Sequence, residues 1–236
     1  MKLPNFNCIA RLLIDNIPSD PFVFQTIKKG SHFMKTIIFS DITWYIKEGK
    51  GLGPGSNNWS RENVFVDSKG YLHLRIDKKD GKWFCAEIYT KDKAQCGEYI
   101  FYISSNVEIL DKNMVAGLFL YEDDDKEVDI EFYNGEGYYC IQKEETYRFK
   151  LNLNGSYSEH RIGFYPYYIE FESYHGHSGD PLIAKWKSQM ENSTKLSNSK
   201  LHINFWLKRG IAPLEGAEII IKNIKINYAE HAAELT

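Results

Sequence analysis

Three carboxylates lie at alternate positions near the middle of the chain, at Glu127, Asp129 and Glu131. Successive side chains of an extended strand point to opposite faces, so these acids share one face and the apolar residues between them share the other. Carboxylates crowded in this way raise one another's pKa, and such crowding is typical of catalytic sites. The alternative is a solvated strand face without a chemical role.

Two carboxyl groups held a short distance apart are the requirement of glycoside hydrolysis, in which one attacks the anomeric carbon and the other protonates the leaving oxygen. Glu127 and Glu131 form the natural pair, and Asp129 lies between them, where it can hydrogen-bond one and tune both. A flat strand would hold their Cα atoms about 13 Å apart, whereas a retaining mechanism needs carboxyl groups about 5–5.5 Å apart. We therefore expect the strand to curve, with the acids on its concave face.

The chain resembles a known family in the pattern Glu-x-Asp-x-Glu and in an ordered set of further motifs. These motifs lie at residues 53–60, 64–67, 70–74, 81–88, 96–99, 164–169 and 203–206. The set resembles glycoside hydrolase family 16, in the form whose active-site strand lacks an extra bulge residue, as in lichenases and plant xyloglucan endotransglycosylases. The resemblance covers about residues 40–228.

The resemblance implies an all-β fold, an antiparallel β-sandwich jelly roll of the concanavalin A-like lectin/glucanase type with a concave substrate cleft. It also implies that Glu127 is the nucleophile, Asp129 the assisting carboxylate and Glu131 the general acid/base. The reaction implied is retaining, endo-acting hydrolysis of a β-linked, β-glucan-like polysaccharide by double displacement. A transglycosylase that uses the same covalent intermediate is an alternative.

The resemblance further implies that Asn57, Gln142, Asn204 and Trp206 contact sugar. Each has a structural alternative, because Asn and Gln also serve turns and edges and a Trp is commonly a core residue. If Trp206 lies in the cleft, Asn204 shares its face and the residue between them points into the sandwich.

The motifs depart from the lichenase pattern at three positions. Asp125 stands where lichenases carry a Trp, and Ile100 and Tyr102 stand where they carry a Glu and an Arg. A lectin-like module that binds glycans without cutting them therefore remains the second hypothesis. The presence of all three carboxylates favours the enzyme, since a binding protein has no reason to tolerate their repulsion.

Composition excludes several classes of protein. The formal net charge of −3 is nearly balanced, which argues against nucleic acid and anionic membranes as partners. The four cysteines, Cys8, Cys85, Cys96 and Cys140, have neither zinc-site spacing nor disulfide-scaffold density and are interpreted as buried free thiols, with a contact of Cys85 and Cys96 across a hairpin as the alternative. We expect no cofactor, no bound metal and a monomer. The His175–His177 pair and the acidic run 123–125 are interpreted as solvated turns rather than metal sites.

The 236 residues fit one β-sandwich domain, at 39–236, preceded by an extension at 1–38 of uncertain structure. Leu72, Leu74 and Ile76 alternate with polar residues, and turn signals separate this strand from the next ones at 68–70, 79–81, 154–155 and 175–176. This pattern predicts an antiparallel meander, and the polar stretch 191–200 is predicted to be a loop. The family is usually secreted, but no signal peptide is visible, because the apolar run 9–14 is short and contains Arg11.

Overall fold

A computed structural model describes residues 35–142, 145–177, 181–189, 196 and 198–229. Nearly all regular structure in these residues is β-strand, arranged in two large antiparallel sheets and a small one. The helical elements of this part of the chain are short 3-10 turns at Arg61–Asn63, Val107–Ile109 and Lys208–Gly210. In the described residues, no helix has both the length and the apolar character needed to cross a membrane.

The first sheet carries the acidic motif. In spatial order its eight strands within the described residues are β1 (Thr36–Phe39), β2 (Ile42–Ile46), β8 (Ala86–Thr90), β17 (Lys200–Leu207), β10 (Met114–Asp123), β11 (Lys126–Tyr133), β12 (Glu136–Ile141) and β13 (Glu145–Lys150). Strand β11 pairs with β10 without a register shift between Glu127 and Phe132. The prediction of a motif without a bulge is therefore confirmed.

The second sheet covers one face of the first. In spatial order its strands are β16 (Leu182–Gln189), β15 (Tyr168–His175), β14 (Ser158–Tyr165), β9 (Gly97–Ile103), β18 (Ala217–Tyr228), β6 (Leu72–Lys79) and β5 (Val64–Val66), and β7 (Lys82–Phe84) pairs with β6. A further two-stranded sheet joins β3 (Gly49–Leu52) to β4 (Asn57–Trp59). The predicted turns at 68–70, 79–81 and 154–155 lie between strands, and a turn follows β15 at 176–177.

The strand order corrects the expectation of a simple meander. Consecutive strands do pair in the runs β10 to β13 and β14 to β16. The centre of each sheet, however, joins strands that are distant in sequence, since β17 lies between β8 and β10, and β18 lies between β9 and β6. This interleaving is what makes the sandwich a jelly roll rather than a meander.

The core lies between the two sheets. Ile88, Ile203, Leu118 and Ile130 are paired across four adjacent strands of the first sheet, and all of them are buried. The second sheet contributes the alternating apolar residues of β6 (Leu72–Lys79), as predicted. Because each such side chain stabilises the fold by about 1.5–3 kcal/mol, this row fixes which face of the first sheet points inwards. The alternate residues must then point outwards.

A buried polar network also links the sheets. Tyr139 Oη lies 2.6 Å from Ser173 Oγ, and the His160 ring lies 2.7 Å from Ser173 Oγ and 2.9 Å from Ser158 Oγ. Burial lowers the pKa of His160 to about 3, so the ring is neutral at ordinary pH. The network joins β12 of the first sheet to β14 and β15 of the second and leaves the imidazole uncharged in the core.

Several sequence-based predictions fall at the limits of the described residues. Strand β1 spans the predicted domain boundary after residue 38, while residues 1–34, including Cys8, and most of the predicted loop 191–200 lie outside the described residues. None of the described cysteines, Cys85, Cys96 and Cys140, forms a disulfide, and Cys85 and Cys140 are buried as interpreted, whereas Cys96 is only half-buried. Burial raises the pKa of the Cys85 thiol to about 12.

Candidate active site

The outward face of the first sheet is built from rows of paired residues. Directly paired residues of antiparallel strands point to the same face, so each row can be followed across the sheet. One row runs Glu87, Asn204, Gly117, Glu131; the next runs Tyr89, His202, Phe119, Asp129, Cys140; the third contains Tyr121 and Glu127. The three acids of the motif therefore share the face opposite the core, as predicted from their spacing.

A cavity of about 620 Å³ lies over this face. Its wall includes Glu127, Asp129, Glu131, Gln142, Asn204 and Trp206. The structure thus brings together all the sequence-predicted site residues except one, Asn57. The interpretation of the acids as a solvated strand face does not describe this arrangement, because Asp129 and Glu131 are 2% and 5% exposed at the base of a cavity.

Glu127 lies in surroundings that oppose its ionisation. The residue as a whole is half-buried, but protein surrounds its carboxyl group, and this burial is the largest cause that raises its pKa well above the usual value. The negative charges of Asp129, Glu131 and Asp124 raise the pKa further. Gln142 opposes them, since its Nε2 donates a hydrogen bond of 3.1 Å to Glu127 Oε2. Burial and the neighbouring negative charges together outweigh this hydrogen bond, so the pKa of Glu127 stays raised.

Asp129 and Glu131 lie close to a thiol. Asp129 pairs directly with Cys140 on β12. A carboxylate oxygen of each acid and Cys140 Sγ lie within 4.8 Å of one another. The cysteine was not predicted as a site residue, although its place on the neighbouring strand of the acidic hairpin could have suggested it.

Asn204 and Gln142 present unpaired oxygens to the cavity. Asn204 Oδ1 and Gln142 Oε1 are buried and have no hydrogen-bond partner, and the residues are 5% and 6% exposed. Gly117 makes room for Asn204, because a Cβ atom at position 117 would lie 2.5 Å from Asn204 Oδ1. A buried acceptor without a partner costs about 1–3 kcal/mol, so both oxygens favour a ligand that donates hydrogen bonds.

Trp206 borders the cavity but is almost fully covered. It lines the cavity together with Asn204 whereas Phe205 does not, which is the register expected for a cleft strand, but Trp206 and Phe205 both belong to the cluster of buried apolar residues. Only 1% of Trp206 is exposed. The side chain therefore forms a packed wall of the cavity and offers little ring surface in this conformation.

Asn57 has a different place from the one expected. Its Nδ2 donates to Pro54 O at 2.8 Å and to Leu207 O at 2.9 Å, and the residue does not line the cavity. Loop 53–55, which it anchors to the end of β17, does line the cavity. Asn57 acts on the site through this loop.

A hydrogen-bonded group of three polar side chains on the cavity side, formed by Lys47, Glu87 and His202, was not predicted from the sequence. Lys47 Nζ lies 2.6 Å from Glu87 Oε2, and His202 Nδ1 lies 3.1 Å from Glu87 Oε1. Burial opposes ionisation of Glu87, but the His202 hydrogen bond and the Lys47 charge outweigh it, and its pKa is lowered. Alternation with the core residue Ile88 places Glu87 on the outward face, but its proximity to His202 depends on the pairing of β8 with β17, which has no local signal.

The remaining predicted features lie away from the acids. Ile100 and Tyr102 belong to β9 in the second sheet and do not line the cavity. Lys126 Nζ lies 2.8 Å from Glu122 and 3.3 Å from Asp123, in the turn that includes the acidic run. His177 Nε2 lies 2.5 Å from Ile103 O, which ties its loop to β9.

Comparison with solved structures found proteins of the same fold. The β-glucanase of Bacillus licheniformis has a TM-score of 0.64 at 15% identity, over 79% of this chain and 92% of that one. A β-1,3-1,4-glucanase (lichenase) from a mouse hindgut metagenome has 0.58 at 17% identity, over 75% and 88%. A laminarinase from Flavobacterium sp. UMI-01 has 0.60 at 13% identity, over 78% and 92%. No protein-family model and no curated protein matched the sequence. The chain has the glucanase jelly-roll fold.

Proposed function

We propose that the protein is a retaining, endo-acting glycoside hydrolase that cleaves a β-linked glucan by double displacement. The observation that carries the proposal is the line of Glu127, Asp129 and Glu131 along one cavity-facing strand. The structurally similar proteins are glucanases by name, which supports a glucan as the substrate class.

The proposed roles follow the order of the acids along β11. Glu127 attacks the anomeric carbon, while Glu131 protonates the leaving oxygen and later takes a proton from the attacking water. Asp129 lies between them and tunes both. Gln142 orients Glu127 through its amide hydrogen bond. Because the nucleophile must be ionised, the raised pKa of Glu127 places the acid limb of the activity profile above the usual range of a glutamate.

Sugar hydroxyls are suitable partners for the unpaired acceptors of the cavity. Asn204 Oδ1 and Gln142 Oε1 each need a donor, and a pyranose ring carries several hydroxyl groups. The carboxylate of Glu87, held ionised by Lys47 and His202, is a further acceptor on the same wall. The apolar parts of the wall, such as Phe119 and Leu52, suit the ring faces.

The test is a panel of β-linked polysaccharides assayed for new reducing ends, with the products sized. Glu127→Gln should lower cleavage by on the order of 10²–10⁴-fold or more, because it removes the nucleophile and keeps its volume. Glu136→Gln is the matched control, since Glu136 lies on the adjacent strand β12, binds Arg148 and does not line the cavity. Cleavage by Glu127→Gln within tenfold of the unchanged protein would refute the assignment.

The stereochemistry is tested by proton NMR of the first-formed product. Double displacement gives a β-anomer from a β-linked substrate, and an initial α-anomer would exclude it. The same panel separates the alternatives. Binding of a glucan without new reducing ends would indicate a lectin-like module, and products longer than the substrate in the presence of an acceptor sugar would indicate a transglycosylase.

A further inference from the structure

Cys140 lies beside two carboxylates of the cavity wall, Asp129 and Glu131, although it does not line the cavity itself. The side chain is fully buried, forms no disulfide and lies opposite Asp129. Its Sγ and one oxygen each of Asp129 and Glu131 lie within 4.8 Å of one another. Among the described residues, no other group of three His, Cys, Asp or Glu side chains has this geometry. The set combines one soft and two hard ligand atoms.

The charges around the cluster favour a cation. Among the residues that the structure describes, five carboxylate side chains line the cavity: Glu87, Asp124, Glu127, Asp129 and Glu131. The wall contains one ammonium group, Lys47, which already binds Glu87 and donates to Gly53 O at 2.7 Å. A concave site lined by one sign of charge raises the local concentration of the opposite ion.

Unpaired oxygens give independent support. Asn204 and Gln142 are more than nine-tenths buried, and each presents an oxygen without a partner to this cavity. Asn204 pairs with Gly117, which pairs in turn with Glu131, so Asn204 lies in the same row as one acid of the cluster. Both are electron-pair donors, as a cation requires.

We propose that Asp129, Glu131 and Cys140 bind a divalent cation of the borderline or soft class, such as Zn²⁺ or Cd²⁺. Zinc bonds of about 2.0–2.2 Å to oxygen and about 2.3 Å to sulfur place ligand atoms roughly 3.5 Å apart. The three atoms, which lie within 4.8 Å of one another, therefore have to approach by at most about 1.3 Å. On binding, the thiol loses its proton to solvent and the thiolate ligates the ion. Ca²⁺ and Mg²⁺ are disfavoured, because they take more ligands and only oxygen.

Cation binding and glucan cleavage exclude each other. A bound cation occupies the lone pairs of Asp129 and Glu131, so Glu131 can neither donate nor accept the proton of the leaving group. The cation is thus an inhibitor rather than the resident metal that the sequence argued against. This consequence rests on the proposed function, whereas binding itself does not.

The test uses the full chain carrying Cys8→Ser and Cys96→Ser, so that two of the four cysteines remain. After dialysis against a chelator, the protein is titrated with Cd²⁺, and the ultraviolet charge-transfer band of the cadmium–thiolate bond is recorded. Cys140→Ser is the test variant, and Cys85→Ser is the control, because Cys85 is as fully buried as Cys140 but belongs to no cluster of metal-ligating side chains among the described residues. Circular dichroism checks the fold of each protein.

One cadmium ion per chain is expected in the parent protein and in Cys85→Ser, and the band should be absent in Cys140→Ser. Asp129→Asn keeps the thiol and should weaken cadmium binding by about tenfold or more. This variant tests the proposed site even if Cys140→Ser does not fold. No band in the parent protein, an equal band in Cys140→Ser, or unchanged affinity in Asp129→Asn would each overturn the proposal.

A second measurement tests the inhibition. Zn²⁺ should block glucan cleavage by Cys85→Ser, and a chelator should restore it. Cleavage that continues when the site is saturated would refute the exclusion of substrate by the cation. The cadmium titration needs no substrate, so a failure of the site and an absence of hydrolase activity are separate results.

Discussion

The ionised carboxylate of Glu127 lowers the stability of the folded protein, and its proposed role as the nucleophile explains why this cost is present. Burial first, and then the charges of Asp129 and Glu131, raise the pKa of this carboxyl group in the folded protein. A group whose folded pKa is raised contributes stability that is complete below its unfolded pKa and is lost as pH rises through the folded pKa. At neutral pH, ionisation of Glu127 therefore opposes folding, as is common for groups placed for function rather than stability.

We predict that Glu127→Gln raises the melting temperature at pH 7 to 8, by about 2–4 °C, the shift that about 1 kcal/mol produces in a chain of this size. The gain should shrink as pH falls and vanish below about 4.3, where the unfolded glutamate is protonated as well. Glu136→Gln should do the opposite, because Arg148 and Tyr138 hold the pKa of Glu136 low against the effect of burial. Thermal melts at several pH values check both, and equal melting temperatures of Glu127→Gln and the unchanged protein at pH 8 would contradict the prediction.

The charge of Asp129 influences the pH above which the site becomes active. Its charge is the largest cause after burial that raises the pKa of Glu127. We predict that Asp129→Asn moves the acid limb of kcat/KM to lower pH and lowers the rate by on the order of 10²-fold. The pH profile of kcat/KM measures both effects. A limb that does not move would mean that Asp129 does not act on Glu127 through its charge.

At the scale of elements, loop 53–55 completes the cavity beside β17. It is held by Asn57, through Pro54 O and Leu207 O, and by Lys47, whose Nζ donates to Gly53 O. These bonds join the loop to the strand that carries Asn204 and Trp206. The position of the loop and that of the cavity wall are therefore coupled.

We predict that Asn57→Ala raises KM several-fold while kcat changes little, because loop 53–55 loses its link through Asn57 to β17, whereas the acids on β11 stay in place. Asn58→Ala is the control, since Asn58 Nδ2 makes a comparable bond of 3.1 Å to Trp83 O without contacting the loop. Each lost hydrogen bond should cost about 1 kcal/mol of stability. Equal values of KM in the two variants would show that loop 53–55 does not contribute to substrate binding.

At the scale of the whole molecule, the two sheets are joined by an apolar core that also contains the neutral His160. Its pKa is lowered to about 3 by burial, whereas the unfolded residue titrates near 6.5. A depressed folded pKa contributes stability that is present above the unfolded pKa and is lost as pH falls. The sandwich should therefore weaken in acid from about pH 6.5 downwards, before its carboxylates are protonated.

We predict that His160 accounts for about 2 kcal/mol of the stability lost between pH 7 and pH 5, because over this range the unfolded chain takes up a proton that the folded chain does not. Urea unfolding at the two pH values measures the loss, and His160→Gln should reduce it by this amount. The variant itself is expected to be less stable at pH 7, so the difference between pH values is the quantity to compare. An equal loss in both proteins would indicate that His160 does not limit acid stability.

The sequence by itself determined the features that depend on local periodicity. Because side chains alternate along a strand, the spacing of Glu127, Asp129 and Glu131 was sufficient to place them on one outward face, and the pattern around Leu72 was sufficient to predict a half-buried strand. The ordered motifs indicated the jelly roll. Turn signals that contain Gly marked the ends of several strands.

Only the tertiary structure decided which residues meet across strands that are distant in sequence. Glu87 and Asn204 are neighbours because β8 pairs with β17, and no local pattern specifies that pairing. For this reason the group of Lys47, Glu87 and His202 was not predicted. The expectation of a simple meander was wrong for the same reason. Contacts between residues that are distant in sequence also bury Trp206 and direct the amide of Asn57 to backbone carbonyls rather than to the cavity. The periodicity of a strand determines which face of the sheet a side chain points to. The contacts on that face depend on long-range hydrogen bonding and on the packing of both sheets.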